Sequence, residues 1–384
     1  LSPVDPRLKA RVVPGFGHEG ALMFNQWTPA ASLIRQINPE LAAGFVWAWD
    51  QQKRPGVQQH DNGFTPLTAN QDDLLAQATP AVVNRLLASS WLPGFGATLR
   101  AFPGDPNETF LAYRQGYLAS HSDGNQGDFV IYAKGAPLTV MSLAGYAIHN
   151  GDRKNLHDEF GWHSRVRFGK QTDNGGWPGG GPVSGVHRHF FSDSADYLRG
   201  VGDYSPRVTD PKLPYVRDLA APETVRWTRQ ILFLKDKQAA GPNYFVFRDS
   251  FRNRDRGDRT GLPQTWWYQR TLGTREQIRA SSTGFEHSSQ WGQKMNTHFL
   301  QPARVQMESR EVTAPVTLSN QLARTWLTAG TPAAKQEGEA NATINETITV
   351  NAAGPIAAGE DVMAVIYPAS KDEALPKCES LADG

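Results

Sequence analysis

The chain has 384 residues, enough for a large hydrophobic core and for more than one domain. Its 39% hydrophobic and 20% charged residues are ordinary for a folded protein, and a formal net charge of +1 gives no global field to draw in nucleic acid or a membrane surface. The single cysteine, Cys378, excludes an internal disulfide and a cysteine-rich zinc site, and no apolar run is long enough to span a membrane as a helix.

Residues 1–20 are rich in Pro and Gly and read as loop. Residues 27–52 read as helical, in two segments. Thr28-Pro29 starts the first and Asn38-Pro39 the second, since Asn followed by Pro suits a helix cap and first turn. Leu41, Phe45 and Trp49 fall on one helical face. A further helical stretch is expected over 71–89. Short helices with Pro-led starts suggest the end of a helical array.

The pattern changes near residue 91. Short apolar or alternating runs punctuated by Gly, Pro and Asp follow: "GATLRAF", "ETFLAYRQG", "GDFVIYAKG" and "APLTVMSLAGY". They read as strands joined by tight turns, and the pattern resumes from "TVRWTRQILFLK" through "NYFVFRDSF", "QTWWYQRTL", "MNTHFLQP" and "ATINETITVNA" to "DVMAVIYP". So many strands with so little helix predict a large antiparallel β-sandwich over 93–384, preceded by helices over 1–92. Residues 150–215 read as loop-rich, with the Gly-rich "NGGWPGGGP" at 174–182. A long loop in a compact domain points to function. Eleven Trp residues supply rings for the core and for stacking on sugars.

Histidines cluster. His121, His149, His157, His163, His187 and His189 lie close together in the sequence, and His298 sits in a later strand. Held in a pocket, His is a metal ligand or a proton-transfer group; elsewhere it is an ordinary surface or core residue. His187 and His189 alternate along an expected strand, which predicts both rings on one side.

The stretch "YLASHSDGNQGDFVIYAKGAPL" (117–138) resembles the signature of the heparinase II/III-like family: His-x-His-x-Asp, small residues, then a strand ending in Gly and Pro-Leu. "FGWHSRVRFG" (160–169) is similar to that family's second segment. The runs at 225–251, "MNTHFLQP" and "VMAVIYP" are similar to its later strands. The resemblance spans about residues 95–370 and implies a sandwich preceded by an (α/α) toroid, of which residues 1–92 would be the C-terminal part.

The resemblance also implies a reaction. Such lyases cleave uronic-acid polysaccharides by β-elimination: the uronate carboxylate is neutralised, a base removes the C5 proton, and an acid protonates the leaving O4. It implies an acidic polysaccharide as partner, a secreted or periplasmic location, and an upstream toroid domain that supplies a catalytic Tyr. His121 and His163 match two zinc-ligand positions of the family. The usual Asp ligand falls near Met141-Ser142, where there is no carboxylate, so Asp123 or Asp158 would have to replace it. Ala119 stands at the first His position, and Ser164 where Asn is usual.

A cleft is therefore expected where helices meet sandwich. His121, Tyr146 and His187 are its candidate catalytic residues, with Tyr117 an alternative to Tyr146 as proton donor. Arg114, His149, Arg165, Arg188 and Trp177 are candidates for substrate binding, the guanidinium groups because they match carboxylate and sulfate oxygens in pairs. Trp162 is a further stacking candidate. A C5-epimerase and a non-catalytic polysaccharide-binding module are the other functions this reading allows.

Overall fold

The computed structural model describes residues 1–7, 9–16, 27–54, 68, 70–116, 126–139, 163–168, 184–204, 225–318 and 342–378. Two short strands, β1 (Val4–Asp5) and β2 (Ala10–Arg11), come first, as a small hairpin. Four helices follow: α1 (Trp27–Ile34), α2 (Pro39–Gln51), α3 (Asp72–Gln77) and α4 (Pro80–Leu87). The Asn-Pro signal works as expected. The Asn38 side chain accepts from the Leu41 amide at 2.9 Å, with Pro39 in the first turn. The expected helix over 71–89 is two helices instead. Thr79 leaves the helical conformation to cap α4, and Pro80 has no N–H to continue the ladder of α3.

From residue 90 the described chain is almost entirely strand. The first group is β3 (Ser90–Leu92), β4 (Gly96–Ala101), β5 (Thr109–Arg114), β6 (Phe129–Ala133) and β7 (Ala136–Thr139), which form a five-stranded meander in sequence order. Next come β8 (Val166–Phe168), β9 (Gly185–Phe191), β10 (Ala195–Tyr204), β11 (Val225–Leu234), β12 (Tyr244–Asn253) and β13 (Thr265–Leu272). The chain then adds β14 (Ile278–Ser281), β15 (Gly284–Ser288), β16 (Lys294–Gln301), β17 (Met307–Leu318), β18 (Ala342–Ile356) and β19 (Val362–Ala369). An eight-stranded sheet runs in the order β14-β15-β16-β19-β12-β11-β10-β9, and a four-stranded sheet in the order β17-β18-β13-β8. Every pairing is antiparallel. The predicted sandwich is thus the observed one. The hairpin β9–β10 lies in the region read as loop-rich.

The inner face of the eight-stranded sheet packs against the other two. One apolar cluster joins Leu99, Phe129 and Ile131 of the five-stranded sheet, Val166 and Trp267 of the four-stranded sheet, and Leu198, Ile231, Phe247 and Ile366 of the eight-stranded sheet. Strand burial alternates as a one-sided sheet requires: in β11, Val225, Trp227, Arg229, Ile231 and Phe233 point inward. The hairpin β1–β2 covers the other face of the five-stranded sheet. Arg11 pairs with Glu108 at 2.9 Å, and Tyr132 donates to Asp5 at 3.1 Å. Arg11 also lies over the Trp47 ring of α2, 5.7 Å from its centroid, so the hairpin touches helix and sheet alike.

An ion pair sits in the middle of this core. Arg229 and Asp249 are both fully buried, and the guanidinium meets the carboxylate with two hydrogen bonds of 2.8 Å. Trp227 and Trp267 donate their indole N–H groups to the same carboxylate at 2.7 and 3.2 Å. Arg229 also donates to the Gly127 carbonyl at 2.7 Å. Burial lowers the guanidinium's proton affinity, but Asp249 more than reverses this and holds it above the ordinary value. Gly127 has φ +81°, and a Cβ there would collide with the Trp227 ring, so only glycine allows this approach.

Two predictions follow from this core. Asp249→Ala strands a buried cation and is expected to cost about 3–5 kcal/mol, whereas Arg229→Met with Asp249→Leu recovers most of that loss; chemical denaturation of both variants checks it. The second concerns His287 of β15, whose ring is buried and donates from Nε2 to the Leu272 carbonyl at 3.0 Å. Burial pushes its pKa from 6.5 down to about 4. The unfolded chain therefore takes up a proton that the folded ring refuses. Stability is full above pH 6.5 and falls by about 3 kcal/mol as the pH drops to 4. His287→Gln is expected to flatten that fall in denaturation curves taken across the range, and an unchanged slope would assign it to another group.

Candidate active site

Strand ends decide where this sandwich can do chemistry. Segments 117–125, 140–162, 169–183 and 205–224 are flanked by described residues that gather at one end of the sandwich. There Gly116 donates to the Gln126 side chain at 2.9 Å, and His163 meets Asp128 at 2.9 Å. The Gln115 amide donates to Ser184 Oγ at 2.7 Å and to the Val201 carbonyl at 3.0 Å. Phe168 lies 5.6 Å from Tyr204, which pairs with Val225. The expected site residues His121, Tyr146, His149 and Trp177 belong to these segments and lie outside the described residues, as do Tyr117, Asp123, Asp158 and Trp162.

The floor of this end is built on Asp128. Its carboxylate is fully buried. One oxygen accepts the amides of Phe129 and Ser164, each at 2.8 Å. The other faces His163 Nδ1 at 2.9 Å, with Arg270 at 3.6 Å. Burial alone would raise this pKa. Arg270, the His163 hydrogen bond and the Ser164 amide outweigh it and hold the carboxyl below its usual value. An ionised Asp128 places the imidazole proton on Nδ1 and fixes the orientation of the ring, which is fully buried. Ser164 ties the segment down by accepting the Arg270 amide at 3.0 Å.

Arg165 follows on the same segment. It is 1% exposed, donates from Nε to the Val166 carbonyl at 3.0 Å, and lies over Tyr204 and Trp227, 5.5 Å from each ring. Burial brings its pKa down to about 10, so it stays charged at neutral pH; burial also raises the Tyr204 hydroxyl. Arg114, likewise expected to hold substrate, is 1% exposed. Its guanidinium stacks on Phe95 at 4.5 Å and donates to the Phe95 carbonyl, which staples the turn between β3 and β4. Burial lowers its pKa to about 10.

His187 and Arg188 stand elsewhere, on the edge strand β9, and both are exposed. Val186 pairs with Gly200 and Arg188 with Arg199, so His187 is the extra residue of a β-bulge. The alternation expected between His187 and His189 is interrupted there. His189 instead joins an aromatic stack between Trp91 at 5.1 Å and Phe191 at 5.3 Å. The site thus brings together His163 and Arg165 of the expected set. Asp128, Arg270, Gln115 and Tyr204 were not anticipated. Asp128 stands in "GDF" at the start of a strand, where a buried acceptor looks like an ordinary turn residue.

Among the described residues no three His, Cys, Asp or Glu groups cluster to hold a metal. Asp128 is occupied by amides and His163, so the described residues offer one zinc ligand, His163, and His121 is not described. They do not by themselves make a zinc site. An open groove of about 1110 Å³ lies at the opposite end, lined by Phe102, Asp105, Phe191, Asp193, Lys235 and Lys237 among others, and it contains none of the expected residues. Among the described residues no helix is long and apolar enough to cross a membrane.

No protein-family model matches the chain, and no curated protein matches it in sequence. Solved structures do. The heparan sulfate lyase HepC from Pedobacter heparinus superposes with a TM-score of 0.55 at 14% identity, over 97% of this chain and 46% of that one. Heparinase III superposes with a TM-score of 0.53 at 12% identity, over 96% of this chain and 46% of that one. The chain thus spans less than half the length of these two structures, and at this identity the likeness establishes the fold.

Asp128→Ala leaves Arg270, His163 and two amides without their acceptor. It is expected to lower stability by about 3–5 kcal/mol, while His163→Ala, which removes one partner of an intact carboxylate, costs less. Thermal unfolding of the two variants side by side checks the order.

Proposed function

We propose that the chain is the sandwich-bearing, C-terminal portion of a polysaccharide lyase that cleaves uronic-acid-containing polysaccharide by β-elimination. The Asp128–His163 pair supports this reading: an oriented imidazole at the His163 end of a fold shared with a heparan sulfate lyase and heparinase III. β-Elimination needs a cation or donor at the uronate carboxylate, a base at C5 and an acid at O4. An imidazole with Nδ1–H held by a carboxylate has Nε2 as its proton-accepting atom, aimed in a fixed direction. His121 and Tyr146 are the proposed proton-transfer groups from the flanking segments, and His187 from the edge strand. Arg165, His149 and Trp177 are the proposed subsites; the Arg114 guanidinium is committed to the turn at Phe95. A zinc ion on His163 and His121 is a subordinate part of the proposal, and no step depends on it. A secreted or periplasmic location accords with such a substrate.

The test follows the ultraviolet absorbance of unsaturated uronate. This chain, and a product extended upstream to include a toroid, are incubated with a panel of uronic-acid polysaccharides. A rise from the extended product alone places the catalytic Tyr upstream; a rise from this chain makes the sandwich residues sufficient. C5 deuterium exchange without absorbance would replace the lyase by an epimerase. Silence in both assays would leave a binding module. His163→Ala is expected to lower the rate at least about 100-fold, the range typical of a lost general acid or base.

A further inference from the structure

Five arginines share the outer face of the eight-stranded sheet. Arg188 of β9 lies opposite Arg199 of β10, Arg199 opposite Gln230 of β11, and Gln230 opposite Arg248 of β12. Residues directly opposite in an antiparallel pair share a face, so these form one row across four strands, about 14 Å long. Four residues along β11, about 13 Å nearer the end that holds His163, Arg226 lies opposite Arg252. On the other side of the first row, Phe190 lies opposite Tyr197. Phe190 is 60% exposed, and Tyr197 is half-buried, donating its hydroxyl to Gln230 at 3.1 Å.

The charges on this face do not balance. Asp203 pairs with Arg226 at 2.8 Å, and Asp361 serves both Arg248 and Arg259. Among the described residues no carboxylate pairs with Arg188, Arg199 or Arg252. The direct cross-strand pair of Arg188 with Arg199 therefore sets like charges side by side, which weakens a sheet, and Asp203 offsets only the Arg226 half of the pair with Arg252. The fold draws no stability from that arrangement, but a polyanion laid across it would. Guanidinium forks match carboxylate and sulfate oxygens, and an apolar ring beside them offers a surface for a sugar face.

We propose that this face binds an extended anionic polysaccharide, at a site distinct from the end that holds His163, and guides the polysaccharide toward it. This rests on the reading of the substrate as an acidic polysaccharide. The band runs along the strands from Phe190 and Tyr197, through Arg188, Arg199 and Arg248, to Arg226 and Arg252, about 20 Å in all. Single-stranded nucleic acid fits less well: sheet faces that bind it stack successive bases on several rings, and here one ring stands well clear of the surface.

The experiment measures binding without turnover. Wild-type protein and Arg199→Ala/Arg252→Ala are titrated with a heparin octasaccharide, a neutral dextran oligosaccharide and oligothymidine, at low and high salt. Heparin binding that weakens with salt, and about tenfold weaker binding by the variant, is expected. The variant's melting temperature is expected to hold or rise, because each substitution removes a like-charge neighbour. Equal heparin affinity in variant and wild type overturns the proposal. So does equal binding of dextran, or tighter binding of oligothymidine. Arginine-dependent heparin binding without any absorbance rise would sink the lyase reading alone. An absorbance rise with unchanged variant affinity would sink this face alone.

Discussion

The Arg229–Asp249 pair is the constraint on which the sandwich is arranged. Two charges without water need every donor and acceptor satisfied, because an unpaired buried charge costs several kcal/mol. Here the carboxylate accepts four hydrogen bonds, from Arg229 twice and from Trp227 and Trp267. Those partners come from β11 and β13, the carboxylate itself from β12, and the guanidinium reaches on to Gly127 beside β6. All three large sheets therefore meet at one electrostatic point. Apolar packing around it tolerates small shifts. The ion pair does not, because its bonds are directional, so it fixes the register in which the layers face each other.

The candidate active site hangs from that point by consecutive residues. Arg229 grips the Gly127 carbonyl, and the next residue, Asp128, grips His163. Two residues on, Arg165 stacks over Trp227, which donates to Asp249. The path closes on itself through the core. The His163 ring takes its direction from Asp128, whose neighbour Gly127 the core ion pair holds in place.

The sequence made the fold legible because strand signals are local. Alternating runs between Gly, Pro and Asp marked most of the strands, and Asn38-Pro39 marked a helix start that the structure keeps. Where a signal was weak, the reading slipped. β10 carries a polar, Gly-containing sequence, "ADYLRGVGDY", within the stretch read as loop-rich; pairing with β9 and β11 makes it strand. The site was less legible. His163 and Arg165 announced themselves by residue type, but Arg114 has the same chemistry and serves as a turn staple. Asp128 was hidden because burial, the property that gives it its role, is decided by residues far away in sequence.

Arginine shows the difference between inside and outside most clearly. Arg100 and Arg229 are buried, and each pairs with a buried carboxylate, Glu108 and Asp249. Arg114 and Arg165, equally buried, are held instead by carbonyls and aromatic rings, so the interior gives each guanidinium a partner of one kind or the other. On the outer face water screens the charges, so Arg188 can stand opposite Arg199, and Arg252 opposite Arg226, at a small cost in stability. Screening makes such an arrangement tolerable without making it favourable. A small standing cost repeated on one face, aligned with the strands and directed at the end that holds His163, is the pattern expected of a surface shaped by something it binds.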